Sequence, residues 1–250
     1  MKSIHAAILL AFLILPSCRN MGGLGREIVL IGATLLNPGE EPVSRAIVVI
    51  RGSRIVHAGF QAEVPVPAGS TKMDLSGKFL LPAPVHIPEN ARMRRITTLE
   101  QLQTLIDVKW RIVGGMVQDT EKLPAALLES LRAGNMVFVP QLFRIDDSKK
   151  LAVAQRNALR LLRAGIPIAA SAGRGWQQEC NLLLAAGFTA SEVIQASTSF
   201  SALAAQAEQE SGRLKSGFLA NIWLLSGNPL EDPARLHEVE RIMTEGSWGT

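Results

Sequence analysis

Cysteine is scarce in this 250-residue chain, with Cys18 and Cys180 the only two, so no disulfide framework can stand in for a packed core. Histidine is almost as sparse. His5, His57, His86 and His237 lie far apart in sequence, without the close spacing by which imidazoles share a metal ion. Aromatic residues make up 5%, no run of five like charges occurs, and the formal net charge of +4 is therefore spread thinly. A nucleic-acid groove needs clustered Lys and Arg among stacking rings, so nucleic acid is not expected as a partner. The surplus charge would give only weak attraction to anionic lipid. The N-terminal apolar stretch, residues 6–15, is about ten residues long, too short for a helix that crosses a hydrocarbon core.

What is present is an ordinary globular composition, 47% apolar and 19% charged, and enough length to bury a sizeable core in one large domain or two small ones. The first residues are the exception. Lys2 precedes the short apolar stretch, a pattern that fits a secretory signal. It ends in Leu15-Pro16-Ser17-Cys18, which resembles a bacterial lipobox, with Pro16 a less usual residue at its place. That resemblance implies acylation of Cys18 after cleavage, a stable membrane anchor once two acyl chains are carried. Arg19 follows, where Asp would imply inner-membrane retention, so the expected location is the bacterial cell envelope, at the outer membrane or periplasmic face. An ordinary cleaved signal with an incidental cysteine is the alternative. Residues 19–27 read as a flexible tether. Cys180, beside Asn181 and Leu182-Leu183-Leu184, reads as a small buried side chain, since no histidine stands near it in sequence to activate the thiol.

From residue 28 to 81 the chain alternates short β-branched runs with turns. Ile28-Val29-Leu30-Ile31, residues 46–50 and Ile55-Val56-His57-Ala58 read as strands, the last two joined by a tight turn at Arg51-Gly52-Ser53-Arg54. This spacing predicts a small antiparallel sheet or sandwich. From Thr97 the periodicity becomes helical. Leu99, Leu102, Leu105 and Ile106 share a face behind a Thr98 cap, and helices are predicted at 123–133, 148–164, 177–186 and 191–209. Strands are predicted near 112–117, 136–139 and 166–170. Strands alternating with helices imply parallel pairing with helical crossovers.

Several of these segments resemble the amidohydrolase superfamily, in particular its imidazolonepropionase and Xaa-Pro dipeptidase group. Residues 47–59 and 66–82, with Asp74-Leu75-Ser76-Gly77-Lys78-Phe79-Leu80-Leu81-Pro82, are similar to that family's N-terminal sheet. Residues 132–142, 161–169 and 179–198 are similar to its later barrel segments, and Gly212-Arg213-Leu214-Lys215-Ser216-Gly217-Phe218-Leu219-Ala220-Asn221-Ile222 to its closing strand turn. The resemblance implies a (β/α) barrel beside a composite β unit, and a zinc or other divalent cofactor held by His and Asp. Where the family continues Gly-Leu-Ile-Asp-x-His-x-His, this chain reads Ala83-Pro84-Val85-His86-Ile87-Pro88-Glu89-Asn90. The two ligand positions hold Pro88 and Asn90. The family's Gly-Thr-Asp, whose Asp binds metal and acts as base, is Ser171-Ala172-Gly173 here. A further family His falls within 115–118, and none of those residues is His.

Pro88, Asn90 and Gly173 are thus degenerate former ligand positions, and no metal, cofactor or catalytic residue is assigned. His86 reads as a surface or partly buried histidine, Asp119 and Glu121 as charges at a helix N-terminus, and Ser171 and Ser197 lack an evident base. The span 82–210 is about half of the roughly 250 residues that a complete barrel needs, which implies a large internal deletion after Asn90.

The expected fold is α/β, an incomplete, half TIM-type barrel plus a small β-sandwich of N- and C-terminal strands. The expected organisation is a signal with lipobox at 1–18, a tether at 19–27, a composite β unit from 28–81 and 211–227, a truncated barrel at 82–210, and a C-terminal helix or tail at 228–250. An open half-barrel would leave sheet edges and an inner face uncovered, implying a homodimer or hetero-complex. Three functional readings remain: a membrane-anchored, catalytically inactive amidohydrolase-like protein with a binding or partner role, a metal-dependent C–N hydrolase whose site another chain completes, and a decayed gene product.

Overall fold

The computed structural model describes residues 27–88 and 91–249. Cys18, most of the tether and Asn90 lie outside the described residues. Strands β1 (Ile28–Ile31), β2 (Thr34–Leu35), β3 (Ala46–Arg51), β4 (Arg54–Phe60), β5 (Thr71–Asp74) and β6 (Phe79–Pro82) open the chain. There follow β7 (Met93–Ile96), α1 (Leu99–Asp107), β8 (Ile112–Gly115), α2 (Ala125–Ala133), β9 (Val137–Val139) and α3 (Ser148–Arg163). Helices α4 (Trp176–Ala185), α5 (Ala190–Ser197) and α6 (Ser199–Ala204) precede the closing strands β10 (Ile222–Leu225), β11 (Val239–Thr244) and β12 (Ser247–Trp248).

Two sheets are built from the chain's two ends. One has the order β4-β3-β1-β5, the other β12-β11-β10-β6-β2. The expected hairpin is present, with Arg51 opposite Arg54. Pairing is mixed rather than purely antiparallel, because β1 runs parallel to β5 and β2 to β6. Leu30, Val48 and Ile50 of the first sheet share one apolar cluster with Leu80, Ile222, Leu224 and Met243 of the second. Asn37 fixes the junction, its Nδ2 donating to the Leu214 carbonyl at 3.0 Å while its Oδ1 accepts from the Leu214 N–H at 2.8 Å.

The expectation of a C-terminal helix or tail over 228–250 is corrected. Among the described residues that span holds a 3-10 turn, Pro233–His237, followed by β11 and β12, and β11 pairs antiparallel with β10. Glu240 and Arg241 face solvent on an outer strand of the sheet, and a bulge at Leu224/Leu225 breaks the alternation that would have announced it.

The remaining sheet is parallel, in the order β7-β8-β9, and a single parallel bridge from Phe138 to Ile168 extends it. The strand predicted at 166–170 shrinks to that bridge because Pro167 has no N–H to give the ladder. Helices α1 to α5 cover one face, on which Val113, Phe138 and Ile168 pack with Leu102, Leu131 and Leu161. Alternate residues turn the other way: Ile112, Val137, Val139 and Ala169 pack with Phe200, Leu203 and Ala204 of α6. The expectation of an uncovered inner face is corrected: α6 of the same chain packs on it.

Local signals explain the helix ends. Thr98 and Gln101 form a capping box on α1, Thr189 and Glu192 another on α5, and the Asp147 carboxylate accepts the N–H groups of Lys149 and Lys150 ahead of α3. The helix predicted over 191–209 breaks instead at Thr198, whose hydroxyl donates back to the Ile194 carbonyl at 2.6 Å and whose backbone leaves helical space.

Candidate functional site

Parallel strands present their carboxyl ends together, and ligands of α/β folds bind in the crevice beyond those ends. Here that crevice is a cavity of about 430 Å³. Arg95 reaches it from β7, Val139 and Gln141 from the end of β9, and residues 169–172 from beyond the bridge at Ile168. Segment 83–88 closes another side. The Ala172 N–H donates to Val85 O at 3.1 Å, and the Ile87 N–H to Ser171 Oγ at 2.9 Å.

Beyond β9 the chain turns sharply. Gln141 adopts left-handed angles (φ 52, ψ 45), which cost a non-glycine residue about 1 kcal/mol or more. The turn starts a 3-10 segment, Leu142–Arg144, whose N–H groups aim at Glu179 on the first turn of α4. The Phe143 N–H donates to Glu179 Oε2 at 3.1 Å, while Oε1 has no hydrogen-bond partner. Glu179 is 3% exposed and lines the cavity. Burial raises its carboxyl to about 7, against the opposing pull of the N–H groups of Phe143, Leu142 and Gln141. Gly175, at φ +79 ahead of α4, lies against the Phe143 ring so closely that a Cβ there would overlap it.

Three guanidinium groups share the lining: Arg95, Arg144 and Arg174. Among the described residues none of the three enters an ion pair. Arg144 stacks over the Phe143 ring, 5.1 Å from its centroid. Ile87, Met93, Val139 and Phe143 give the cavity an apolar side.

Of the three positions that the family resemblance aligns with metal ligands, Pro88 lines this cavity. Gly173 lies in an adjoining open cleft between Trp176 and Trp223, beside the His86 ring. Asn90 is outside the described residues. His86 Nδ1 is engaged with the Ala172 carbonyl at 2.8 Å. Among the described residues no three His, Cys, Asp or Glu converge to hold a metal ion. The cavity offers instead a proline ring, guanidinium groups that repel a cation, the lone imidazole of His86, and one buried carboxyl already accepting a backbone N–H group. These residues do not fit a divalent metal.

Among the described residues, the serines and the cysteine near the cavity are otherwise engaged. The Ser171 hydroxyl accepts from Ile87 and donates to the Ala172 carbonyl at 3.2 Å. Ser197 accepts from Trp176 Nε1 at 3.1 Å inside the core. Cys180 is buried as expected, and burial pushes its thiol up to about 12, which suppresses the thiolate. Asp119 accepts the Leu99 N–H at 3.1 Å at the start of α1. Glu179, Arg95, Arg144 and Arg174 were not singled out from sequence. The Glu179-Cys180 pair sits inside a helical pattern, and its partners lie 36 residues earlier. Flanked by Gln177, Gln178 and Asn181, it carries no sequence signal of burial.

No protein-family model matches the chain, and no curated protein matches it by sequence. Solved structures do. A molinate hydrolase superposes with a TM-score of 0.74 at 13% identity, over 91% of this chain and 95% of that one. A Xaa-Pro dipeptidase solved with methionine in its active site gives 0.69 at 11% identity, over 89% and 99%. An ochratoxinase from A. niger gives 0.64 at 12% identity, over 89% and 95%. The chain shares the mixed α/β fold of amidohydrolase-superfamily enzymes; at these identities the likeness is one of fold.

Proposed function

We propose that this chain is a binding protein built on an amidohydrolase fold, without metal-dependent hydrolysis, and tethered to the bacterial cell envelope through acylated Cys18. One observation carries the first part. At the strand ends, the described residues bring Pro88, three guanidinium groups, the single imidazole of His86 and the single buried carboxyl of Glu179 to the cavity, and no three His, Cys, Asp or Glu converge there to hold a metal. The parallel strands β7, β8 and β9 with the Ile168 bridge represent, in this reading, part of a barrel whose missing strands would follow Asn90. The lipobox resemblance at Leu15-Pro16-Ser17-Cys18 supports the anchor.

Elemental analysis of the purified protein, with amidase and dipeptidase assays on the same sample, tests the first claim. Stoichiometric zinc together with cleavage of a C–N bond would overturn it. For the anchor, a Cys18→Ala variant should move from the membrane fraction to the soluble one. A second reading has one supporting feature: β7 ends its sheet and carries Arg95 into the cavity. A second copy or another chain pairing there would complete the site. A concentration-dependent mass by light scattering together with gain of a metal would favour that reading over the first.

A further inference from the structure

The cavity at the strand ends has a mixed lining. It includes three guanidinium groups without ion-pair partners among the described residues, the apolar side chains of Ile87, Met93 and Val139, and Glu179, whose buried Oε1 has no hydrogen-bond partner. Each selects a different portion of a ligand. Guanidinium forks match the paired oxygens of a carboxylate or phosphate. The apolar side, continuous with the cluster beneath α6, removes a hydrocarbon body from water. A buried polar atom left without a partner costs free energy until something hydrogen-bonds to it.

We propose that this cavity binds a small organic oxyanion, a carboxylate or a phosphate monoester, with its charged end on Arg95, Arg144 and Arg174 and an acceptor atom of its apolar-bodied remainder against the Glu179 carboxyl. The proposal rests on the reading of this site as a metal-free binding cavity. Its volume of about 430 Å³ lies within the roughly 300–1,000 Å³ common to small-molecule sites. A divalent cation is disfavoured by the same three charges that attract the anion.

Glu179 has a distinct part in this arrangement. A carboxylate there would repel an incoming anion and could offer it no hydrogen. A protonated carboxyl can keep the Phe143 N–H on Oε2 and donate from Oε1. Burial favours that neutral form. The charged or titratable groups around it are Arg144 on the 3-10 turn, Arg174 ahead of α4, Arg95 on β7, His86 on segment 83–88, and the neighbouring Cys180. Anion affinity should therefore fall as pH rises through about 7, and a Glu179→Gln variant, permanently neutral and still able to donate, should lose that dependence.

The test is isothermal titration of the mature protein with 3-phenylpropanoate, phenyl phosphate and the uncharged 3-phenylpropanamide, with and without a chelator. Either anion should bind roughly tenfold or more tightly than the amide, and Arg144→Gln and Arg174→Gln should each weaken it by about tenfold. Both arginines are exposed, so these variants should keep the wild-type melting temperature, and Glu179→Gln supplies the pH readout independently. Preference for the phosphate arm identifies phosphoryl recognition, preference for the propanoate a carboxylate, and either supports the proposal. Equal affinity for acid and amide, unchanged affinity in both arginine variants, or no saturable heat with any probe overturns it. Anion binding that disappears with the chelator overturns both this inference and the metal-free reading. Charge-blind binding by metal-free protein overturns this inference alone.

Discussion

Glu179 gives the sharpest quantitative expectation. Its carboxyl is held near 7 in the folded chain by burial, against an ordinary value of 4.5. The unfolded chain releases this proton near 4.5, and the folded chain retains it until about 7. The contribution to stability is therefore complete below 4.5 and is lost as pH rises through about 7. Integrated over that interval, the loss is about 3 kcal/mol. A Glu179→Gln variant is neutral throughout, so the stability of the variant minus that of the wild type should grow by about 3 kcal/mol between about pH 4 and about pH 8. Urea unfolding of both proteins across this range, in one buffer series, measures the difference, and other titrating groups cancel in it. A difference that stays constant within about 0.5 kcal/mol would refute the reasoning, since it would mean that a guanidinium of the cavity keeps the Glu179 carboxylate charged.

Other expectations concern the frame around the cavity. Gly115 ends β8 at φ +76, and a Cβ there would overlap the Ile96 carbonyl; Gly115→Ala should destabilise by more than about 2 kcal/mol in denaturant titration, and an unchanged midpoint would contradict the parallel register of β7 and β8. Thr189→Ala removes the α5 capping box and should cost about 1 kcal/mol by the same measurement, with no loss if the helix begins elsewhere. Phe200→Ala should lower stability by roughly 2 kcal/mol and raise the fluorescence of a hydrophobic dye, because the ring packs on the inner face of the parallel sheet. Unaltered dye binding would show that α6 is not what covers that face.

The parts of the fold that are legible in the sequence are those whose cause is local. The turn Arg51-Gly52-Ser53-Arg54 announces its hairpin, Thr98 its helix, and Gly134 the end of α2. Strand β7 is hidden because Met93-Arg94-Arg95-Ile96 places two charges mid-strand. At the end of a sheet those charges stay in solvent and in the cavity, where they cost little, so pattern gives no strand signal. The break at Thr198 depends on a hydroxyl returning to a carbonyl one turn back, which competes with helix continuation only by a narrow margin.

The candidate site was legible mainly by subtraction. From sequence, the resemblance directs attention to Pro88 and Gly173, whereas the polar side chains that line the cavity come largely from β7, the 3-10 turn and α4, and meet only through tertiary packing. Arg95, Arg144 and Arg174 look like ordinary surface charges along the chain. Nothing in their spacing predicts that they converge on one cavity.

The interlock between the chain's two ends has a consequence for the order of events during biogenesis. Strand β6 pairs with β10, and Asn37 grips Leu214 across 177 residues. In a chain made from its N-terminus, Leu80 and Leu81 therefore lack their β10 partners until residues 222–225 have appeared. The final strands then act as a latch, and loss of the last few dozen residues would unfasten the beginning of the protein as surely as its end.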